Sequence, residues 1–471
     1  MSSLLTDNKL RYVRLGFLGF ALAMAVAYDV FFFKKQLGVN VFLFVLFFVA
    51  GFTALAALSR RIHNRWAFWF LVPIFVLSLD VLLYHNRLVT EGAPFFLFVL
   101  LVVFALAVTV ANPKQHPFSF WGIPMLKNID IPFLQWGTMM TDLFYSREGK
   151  EGGRGRAARH IVIGLLVSLP LLFLFGALFA NADPIFSDWI RRAFDITPTG
   201  LWRFFRTLLI TLFLGSFLYA LTDVRHAREW IERKVWKIES LISGVVFTLV
   251  NLLFLVFVFI QFRYLFGSAT YVLSNELTFA EYARSGFFQL VWVLIFAALF
   301  LVINYRSAAS HGMSMAIKLL KSVFIVQVGV VAVSALHRMN VYQDEFGYTV
   351  LRLYVEWFIY FIFALLVLTL VSIFVCSSFR TFFYGVLGIG LIALVIVSSL
   401  NVDRMIAREN VDRYIQEGKE LDMFYLVFEL SEDAEPEIQR ALEQGFDMLS
   451  VLEEKRKNKT KENRSWLEFH F

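Results

Sequence analysis

Cysteine is nearly absent from this sequence, and Cys376 is the only one. One thiol cannot form an internal disulfide or a cysteine-based metal site within one chain. The eight histidines are scattered, without the His-Glu-x-x-His spacing of zinc enzymes, and no Gly-x-Ser-x-Gly nucleophile motif occurs. The glycine-rich run 149–156 lacks the Gly-Lys-Ser/Thr of a phosphate-binding loop. We therefore predict no metal ion and no cofactor.

Charged residues are also scarce, at 17% of the chain against about 25% in soluble domains, whereas hydrophobic residues make up 59%. A soluble fold could not bury so much apolar surface. The 55 phenylalanines and 11 tryptophans fit helix surfaces that face lipid and aromatic belts at the membrane interfaces. These features predict an integral membrane protein whose principal partner is the lipid bilayer.

Long apolar runs recur along the first 400 residues. A hydrocarbon core about 30 Å thick requires roughly 20 apolar residues of helix, because every backbone polar group must be bonded within the segment. Runs of this kind lie near 13–33, 40–58, 67–84, 93–111, 159–182, 201–222, 240–262, 286–305, 315–336, 350–375 and 381–400. They predict an all-α fold: a polytopic transmembrane helical bundle of about eleven helices over residues 1–400, then a small polar helical tail at 401–471.

The distribution of lysine and arginine predicts the orientation of the chain. With a cytoplasmic N-terminus, the inner segments carry 22 basic residues and the outer segments carry 11, which agrees with the positive-inside rule. An odd number of helices then places the tail, with 11 basic and 17 acidic residues, outside the cytoplasm. We expect a multi-pass protein of the bacterial cytoplasmic (inner) membrane whose tail faces the cell envelope.

The segment 112–158 is predicted to be a cytoplasmic linker. Pro132 precedes apolar residues at helical spacing from Phe133 to Phe144, a pattern typical of a helix that lies on the membrane surface. The basic glycine-rich run that follows is expected to contact anionic lipids. The net charge of +7 is also compatible with nucleic-acid binding. Because the membrane topology already explains the excess of basic residues on the cytoplasmic face, we predict no nucleic-acid partner.

The tail pattern predicts three short helices. The first runs from about Val402 to Gln416 and stops at Gly418. Asp422 is the expected N-cap of the second helix, and Pro436 lies in the first turn of the third. These elements are too small to form a large core, so we expect them to pack on one another or on the outer face of the membrane domain.

Ionisable residues concentrate at one predicted depth, the outer ends of the helices. Such residues are costly inside a span and usually face a bundle interior or a wet cavity, so the clustering indicates a cavity that opens outward. The candidate binding cluster consists of Asp183, Glu281, Arg284, Arg338, Arg352 and Glu356. An alternative stays open, because members three or four residues apart can form ion pairs that only hold helix ends together. The pairs with this spacing are Glu281–Arg284 and Arg352–Glu356.

Two lone carboxylates, Asp29 and Asp80, lie inside apolar runs and are candidate intramembrane functional groups, although each is close enough to a span end to reach water. The uncharged polar residues inside spans are expected to form hydrogen bonds between helices. These residues are Asn251, Gln289, Asn304 and Gln327.

Several stretches beyond residue 160 resemble one family of bacterial membrane proteins, the domain of unknown function 4153, with its relative 4173. The most specific stretch is LTFAEYARSGFF at 277–288. The remaining resemblance lies in Asn181–Pro184, Arg338–Met339, Tyr342, Gly347, Thr349, Leu351–Arg352, Asn401, Ile406–Ala407, Asn410, Arg413–Tyr414, Gly418–Lys419, Leu421–Asp422 and Tyr425–Leu426. The sequence departs from the family at 346–349, where Phe-Gly-Tyr-Thr replaces Tyr-Gly-Leu-Thr. The resemblance implies a many-helix membrane architecture with a polar tail and supplies no activity.

Three functions are compatible with these patterns. A transport or transport-coupled protein would bind a small molecule in the outer cavity and needs a polar path to midplane groups such as Asn251 or Gln327. An envelope or lipid-handling enzyme would use Asp183, Glu281 or Glu356 as acid or base and needs a groove open to lipid. A non-catalytic signalling or assembly scaffold would bind an envelope protein through its tail, with its charged residues satisfied internally.

Overall fold

The structure is a computed structural model that describes residues 2–109, 198–220, 240–266, 287–308, 314–375 and 378–445. Helices account for nearly all of these ranges, and no β-strand occurs in them. The predicted span at 159–182 and the predicted linker at 112–158 lie outside the described residues. The same holds for three members of the candidate cluster, Asp183, Glu281 and Arg284.

The described chain divides into two compact units, the first of which contains the described residues of 1–83 and 95–232. Its described helices are α1 (Ser2–Phe32), α2 (Val39–Leu58), α3 (Leu71–Leu83), α4 (Ala93–Thr109, whose first two residues belong to the second unit) and α5 (Pro198–Ala220). A 3-10 helix, Arg65–Phe70, leads directly into α3.

The second unit contains residues 84–94 and 233–463. Its described helices are α6 (Ser240–Phe266), α7 (Phe287–Ala308), α8 (Met315–Phe346), α9 (Val350–Val375), α10 (Phe379–Ser398), α11 (Val402–Glu417) and α12 (Glu435–Glu443). Two π-helical turns, Leu88–Gly92 and Tyr425–Glu429, and a 3-10 turn at Glu432–Ala434 complete it.

The helical membrane architecture predicted from the apolar runs is confirmed. Eight helices in the described part of the chain are long and apolar enough to cross a membrane, and Gln289–Tyr305 is a shorter apolar helix. Helix α5 coincides with the predicted span at 201–222 but is not among the eight, and Arg203 and Arg206 lie in its first turns. Large apolar side chains such as Leu253 and Val367 are exposed on these helices, as lipid contact requires.

In the first unit, α1 packs against both α2 and α5, and α2 packs against α3. Aromatic rings fill the contacts: Phe17 meets Phe52 at 6.4 Å between centroids, and Phe52 meets Phe104 of α4 at 6.0 Å. A Cβ atom at Gly51 would overlap the ring of Phe20, so the absence of a side chain there permits the close approach of α1 and α2.

In the second unit, α8 is the central helix and packs against α6, α7 and α9. Its core is aromatic: the rings of Phe247, Phe300 and Phe324 lie within 4.9–5.9 Å of one another. The remaining core residues are mostly Leu, Ile, Val and Ala.

The tail forms the helices that its sequence predicts. The Asn401 side chain accepts a hydrogen bond from Arg404 N and caps α11, and Gly418 ends the helix with φ +66°. Asp422 accepts from Tyr425 N at 2.9 Å, and Pro436 lies in the first turn of α12. The tail core, which includes Val402, Ile406, Leu426 and Ile438, also packs on Leu353, Tyr354 and Trp357 of α9.

Candidate functional site: the tail clasp and the polar residues of the spans

The turn between α8 and α9 holds the tail through a set of hydrogen bonds, which we call the tail clasp: Asp344, Gly347, Tyr348, Val350, Asn410, Arg413, Lys419 and Tyr425. Tyr348 N donates to Asn410 Oδ1 and Asn410 Nδ2 donates to Tyr348 O, both at 2.8 Å. The carbonyl of Asp344 accepts from Lys419 Nζ at 2.7 Å and from Arg413 Nη2. The Tyr425 hydroxyl accepts from Val350 N at 2.8 Å. The tail thus satisfies one end group of each helix that lacks a partner within its helix, the amide of Val350 at the start of α9 and the carbonyl of Asp344 near the end of α8.

Gly347 makes the close approach of the tail possible. Its φ is +77°, a region that other residues rarely occupy, and a Cβ atom there would lie 2.6 Å from Asn410 Oδ1 and 2.8 Å from Arg413 Nη1. Both the backbone conformation and the space therefore require glycine.

Arg352 and Glu356 do not pair with each other, although they are four residues apart on α9. Arg352 Nη1 donates to the carbonyls of Phe346 and Gly347, and its guanidinium lies 4.1 Å from the centroid of the Tyr342 ring. The carboxylate of Glu356 accepts from Gln343 Nε2 at 3.1 Å and from the Tyr360 hydroxyl at 2.9 Å. Arg352 thus braces the α8–α9 turn beside the tail clasp.

The third described member of the candidate cluster, Arg338, is 8% exposed and lies on α8, two turns before the tail clasp. The structure thus places Arg338, Arg352 and Glu356 on two adjacent helices near one end of the unit.

The tail also binds the segment that joins α3 to α4. His85 N donates to Asp433 Oδ2 at 2.9 Å, and His85 Nδ1 lies 3.5 Å from Asp433 Oδ1. Arg87 forms a more exposed ion pair with Glu429 at 3.7 Å. The tail thus contacts two different connections between membrane helices.

Helices α11 and α12 are joined by ion pairs. Glu437, which is 6% exposed, accepts from Arg404 Nε at 3.3 Å and from Arg440 Nη1 at 2.9 Å. Arg440 also donates to Asp412. Since the carboxylate of Glu437 is buried and bonded to two cations, this network fixes the orientation of the helices.

Asp403 lies in the first turn of α11, beyond the spans, and its Oδ2 accepts from Ser431 N at 2.9 Å. Burial raises the pKa of Asp403 above its ordinary 3.8, although the Ser431 hydrogen bonds oppose the shift. Because the folded state holds the proton more tightly than the unfolded state, this carboxyl favours folding most below pH 3.8, and the contribution is lost as the pH rises through the raised pKa.

We expect Asp403→Asn to flatten the pH dependence of tail stability. The amide oxygen of asparagine can still accept from Ser431 N, but it carries no charge to desolvate. Hydrogen exchange of the α11 amides between about pH 4 and pH 7, corrected for intrinsic rates, measures the effect. The unchanged protein should lose protection with rising pH more steeply than the variant. Parallel curves for the two proteins would show that Asp403 titrates normally.

Asp29, which has no charged neighbour within its own apolar run, pairs with two arginines of α5 in the structure. Its Oδ2 lies 2.6 Å from Arg203 Nη2, and its Oδ1 pairs with Arg206. Both guanidinium groups also lie over the Phe33 ring, at 4.6 and 5.1 Å. The arginines come from α5, far along the chain, so sequence spacing contained no signal for this contact. The other intramembrane carboxylate, Asp80, is 3% exposed within α3.

Two amide side chains connect α6 to α8, as predicted. Asn251 Nδ2 donates to Leu320 O at 2.9 Å, and Gln327 Nε2 donates to Asn251 O at 3.2 Å. The other two predicted residues do not join helices through their side chains in this way: Asn304 Nδ2 donates to Phe300 O of its own helix, and Gln289 is exposed.

Near these amides the structure contains a buried cation and an open groove that the sequence did not reveal. Lys321 is 1% exposed, donates to Asn304 O at 3.3 Å, and lies 5.4 Å from the centroid of the Phe247 ring. An open groove of about 480 Å³ lies between the N-terminal halves of α6 and α8. It is lined by Gly244, Val245, Thr248, Leu249, Ser314, Ile317 and Leu320. Within the described ranges, no three His, Cys, Asp or Glu side chains converge to hold a metal ion.

The apolar helices, the lipid-exposed side chains and the attached polar tail define a polytopic helical membrane protein. The profile of the family described as "Domain of unknown function (DUF4153)" matches residues 71–441, and the chain belongs to this family. A search of curated proteins and a search of solved structures each found no match.

The residues through which the tail and the α8–α9 turn resemble the family have structural roles in this chain. Gly347, Asn410, Arg413, Lys419 and Tyr425 form the tail clasp, as described above. Three others shape its surroundings: Arg352 braces the α8–α9 turn, Asn401 caps α11, and Gly418 ends it.

Proposed function

We propose that the protein is a membrane-anchored docking platform, a non-catalytic signalling or assembly scaffold of the bacterial cytoplasmic membrane. In this proposal the N-terminus is cytoplasmic, the tail faces the cell envelope, and the tail binds an envelope protein. The observation that supports it is the tail clasp: the polar groups at this end of the bundle attach a small folded domain to the membrane helices.

A ligand site in an outward-facing cavity requires the candidate charges to point into open space. Arg352 instead contacts two backbone carbonyls and an aromatic ring, and Glu356 accepts from two neutral donors. The groove described above lies at the other end of α8, beside Ser314 and Ile317. For Arg352 and Glu356, these contacts favour the scaffold over a role in an outer binding cluster.

The charge of the tail indicates what kind of partner it binds. Residues 401–445 contain 12 acidic and 5 basic side chains, a net charge of −7. Several acidic residues are exposed, among them Glu409, Glu420 and Glu435. Because complementary potentials steer association and select partners, we expect a protein with a basic surface.

A photo-cross-linking amino acid at Glu409, Glu420 or Glu435 tests the docking function in intact cells. We expect one discrete adduct of higher mass, weaker in a Gly347→Ala background in which the tail is displaced. With the identified protein purified, changing the three glutamates to glutamine should weaken binding by about tenfold or more, more at low salt than at high salt. Absence of an adduct at all three positions, with a folded tail, would contradict the proposal.

Arg352→Ala distinguishes a bracing residue from a ligand-binding residue. Without the guanidinium, the carbonyls of the α8–α9 turn lose a charged donor, at a cost of about 1–3 kcal/mol. Hydrogen exchange of the α11 amides should therefore accelerate about tenfold. Glu356→Gln is the matched control, since glutamine keeps the size of the side chain and one of its two acceptor oxygens, and it should leave α11 protected. Unchanged protection in Arg352→Ala would count against the bracing role.

Transport remains a second candidate because of the polar residues between α6 and α8. Asn251 Oδ1 and Gln327 Oε1 are buried acceptors without a hydrogen-bond partner, and both amide nitrogens are already committed to carbonyls. Uncompensated acceptors in a bilayer core are costly, so such a pair is suited to a small donor that enters from the adjacent groove.

Gln327→Leu provides the test of this second candidate. If Gln327 serves only folding or assembly, leucine at this position removes one interhelical hydrogen bond and one buried unpaired oxygen. The free energy of unfolding should then change by less than about 1 kcal/mol, and the function of the protein in cells should persist. If the oxygens form part of a transport path, function should be lost while the melting temperature stays the same. The envelope or lipid-handling enzyme has less support from the described residues: of its three candidate carboxylates, Asp183 and Glu281 lie outside the described ranges, and both oxygens of Glu356 are bonded.

A further inference from the structure

Two phenylalanines form an exposed aromatic pair on the tail. Phe424 and Phe428 are 65% and 37% exposed, and their ring centroids lie 4.8 Å apart. They flank Tyr425, whose hydroxyl accepts from the amide of Val350, the first residue of α9. The pair is therefore held at the level where a membrane span begins.

The length of α9 locates this level relative to the bilayer. The helix has 26 residues and is about 39 Å long, whereas the hydrocarbon core is about 30 Å thick. The tail core packs on Leu353, Tyr354 and Trp357, so it covers the first two turns, or about 10 Å of helix. The helix is therefore about 9 Å longer than the hydrocarbon core, so its ends, Val350 included, reach the interfacial regions.

We propose that Phe424 and Phe428 are an interfacial anchor that contacts phospholipid at the hydrocarbon boundary of the leaflet on the tail side. Aromatic side chains favour this region, and two further aromatic residues, Tyr354 and Trp357, lie in the first two turns of α9, where the tail core packs. The tail is then fastened twice, by the clasp to the membrane helices and by the aromatic pair to the lipid. This inference does not depend on the partner proposed above.

Spin labels in phosphatidylcholine proteoliposomes test the anchor. In a Cys376→Ser background, Phe424 or Phe428 is changed to cysteine and carries a single spin label. The accessibility of each label to oxygen and to a water-soluble nickel chelate is then measured. Val367, 61% exposed in the middle of α9, is the lipid reference. Met405 is the aqueous reference, because it is 39% exposed, close to the exposure of Phe428, and its helical neighbours Arg408 and Glu409 are exposed charges.

The ratio of oxygen to chelate accessibility at Phe424 and Phe428 should exceed that at Met405 by about threefold or more and remain below that at Val367. If both positions give the same ratio as Met405, solvent or a protein surface covers the pair instead of lipid, and the proposal is overturned. Phe424→Trp offers an independent measurement: brominated lipids should quench its added fluorescence more than that of Met405→Trp. Equal quenching of the two tryptophans would overturn the proposal too.

Discussion

Replacing Gly347 with alanine should release the tail from the membrane helices. The backbone at φ +77° is unfavourable for alanine, and the new Cβ would collide with Asn410 and Arg413 in the tail clasp. Together these effects should cost about 3 kcal/mol. Hydrogen exchange of the α11 amides in detergent or nanodiscs should therefore accelerate roughly 100-fold, while exchange in the membrane helices stays slow.

Gly418→Ala is the matched control for this experiment. Gly418 also has a positive φ, +66°, but a Cβ atom there would meet no atom within 4 Å. Only the backbone cost of about 1 kcal/mol applies, so exchange should accelerate less than about tenfold. Equal effects of the two substitutions would mean that the contact with Asn410 and Arg413 does not hold the tail.

Replacing Asp29 with asparagine should separate α1 from α5 in part. The two arginines of α5 would remain beside a largely buried site without their carboxylate, and unpaired charge at such a site is strongly destabilising. We expect the melting temperature of the purified protein in detergent to fall by about 4–8 °C. Asparagine has the same size as aspartate, so lost packing does not explain the effect.

A double-mutant cycle isolates the ion pair from other consequences of the substitutions. Asp29→Asn and Arg206→Gln should be non-additive by about 1 kcal/mol or more, because the second change removes a charge that the first has left unpaired. Arg87→Ala is a surface comparison: Arg87 and Glu429 have side chains 73% and 47% exposed, so the melting temperature should shift by less than about 2 °C. Strict additivity of the Asp29 and Arg206 changes would show that no coupling exists.

The membrane helices and the tail helices could be predicted because their signals are local. Apolar runs near 20 residues long specify spans whatever their neighbours are, and a cap such as Asn401 or a terminator such as Gly418 acts on the turn in which it lies. The prediction for α11 therefore agrees with the structure to within one residue at its end.

The contacts of the candidate site could not be predicted, because they join distant parts of the chain. Asp29 meets arginines 174 and 177 residues away, and Asn410 meets a turn 62 residues away. The spacing of Arg352 and Glu356 fits an ion pair on one helix, but nearby carbonyls and the Tyr342 ring provide better partners for the guanidinium. Periodicity places residues on a helical face and cannot say what packs against that face.

The most direct test of whether the tail clasp holds the tail is a distance measurement between spin labels at Leu351 and Ile415 in nanodiscs, in a Cys376→Ser background. Both residues are exposed, at 62% and 40%, so labels there should not disturb the tail clasp. We predict one narrow distance distribution, which broadens in Gly347→Ala and stays narrow in Gly418→Ala. A broad distribution in the otherwise unchanged protein would mean that the tail is not held by the α8–α9 turn, and the docking platform would lose its structural basis.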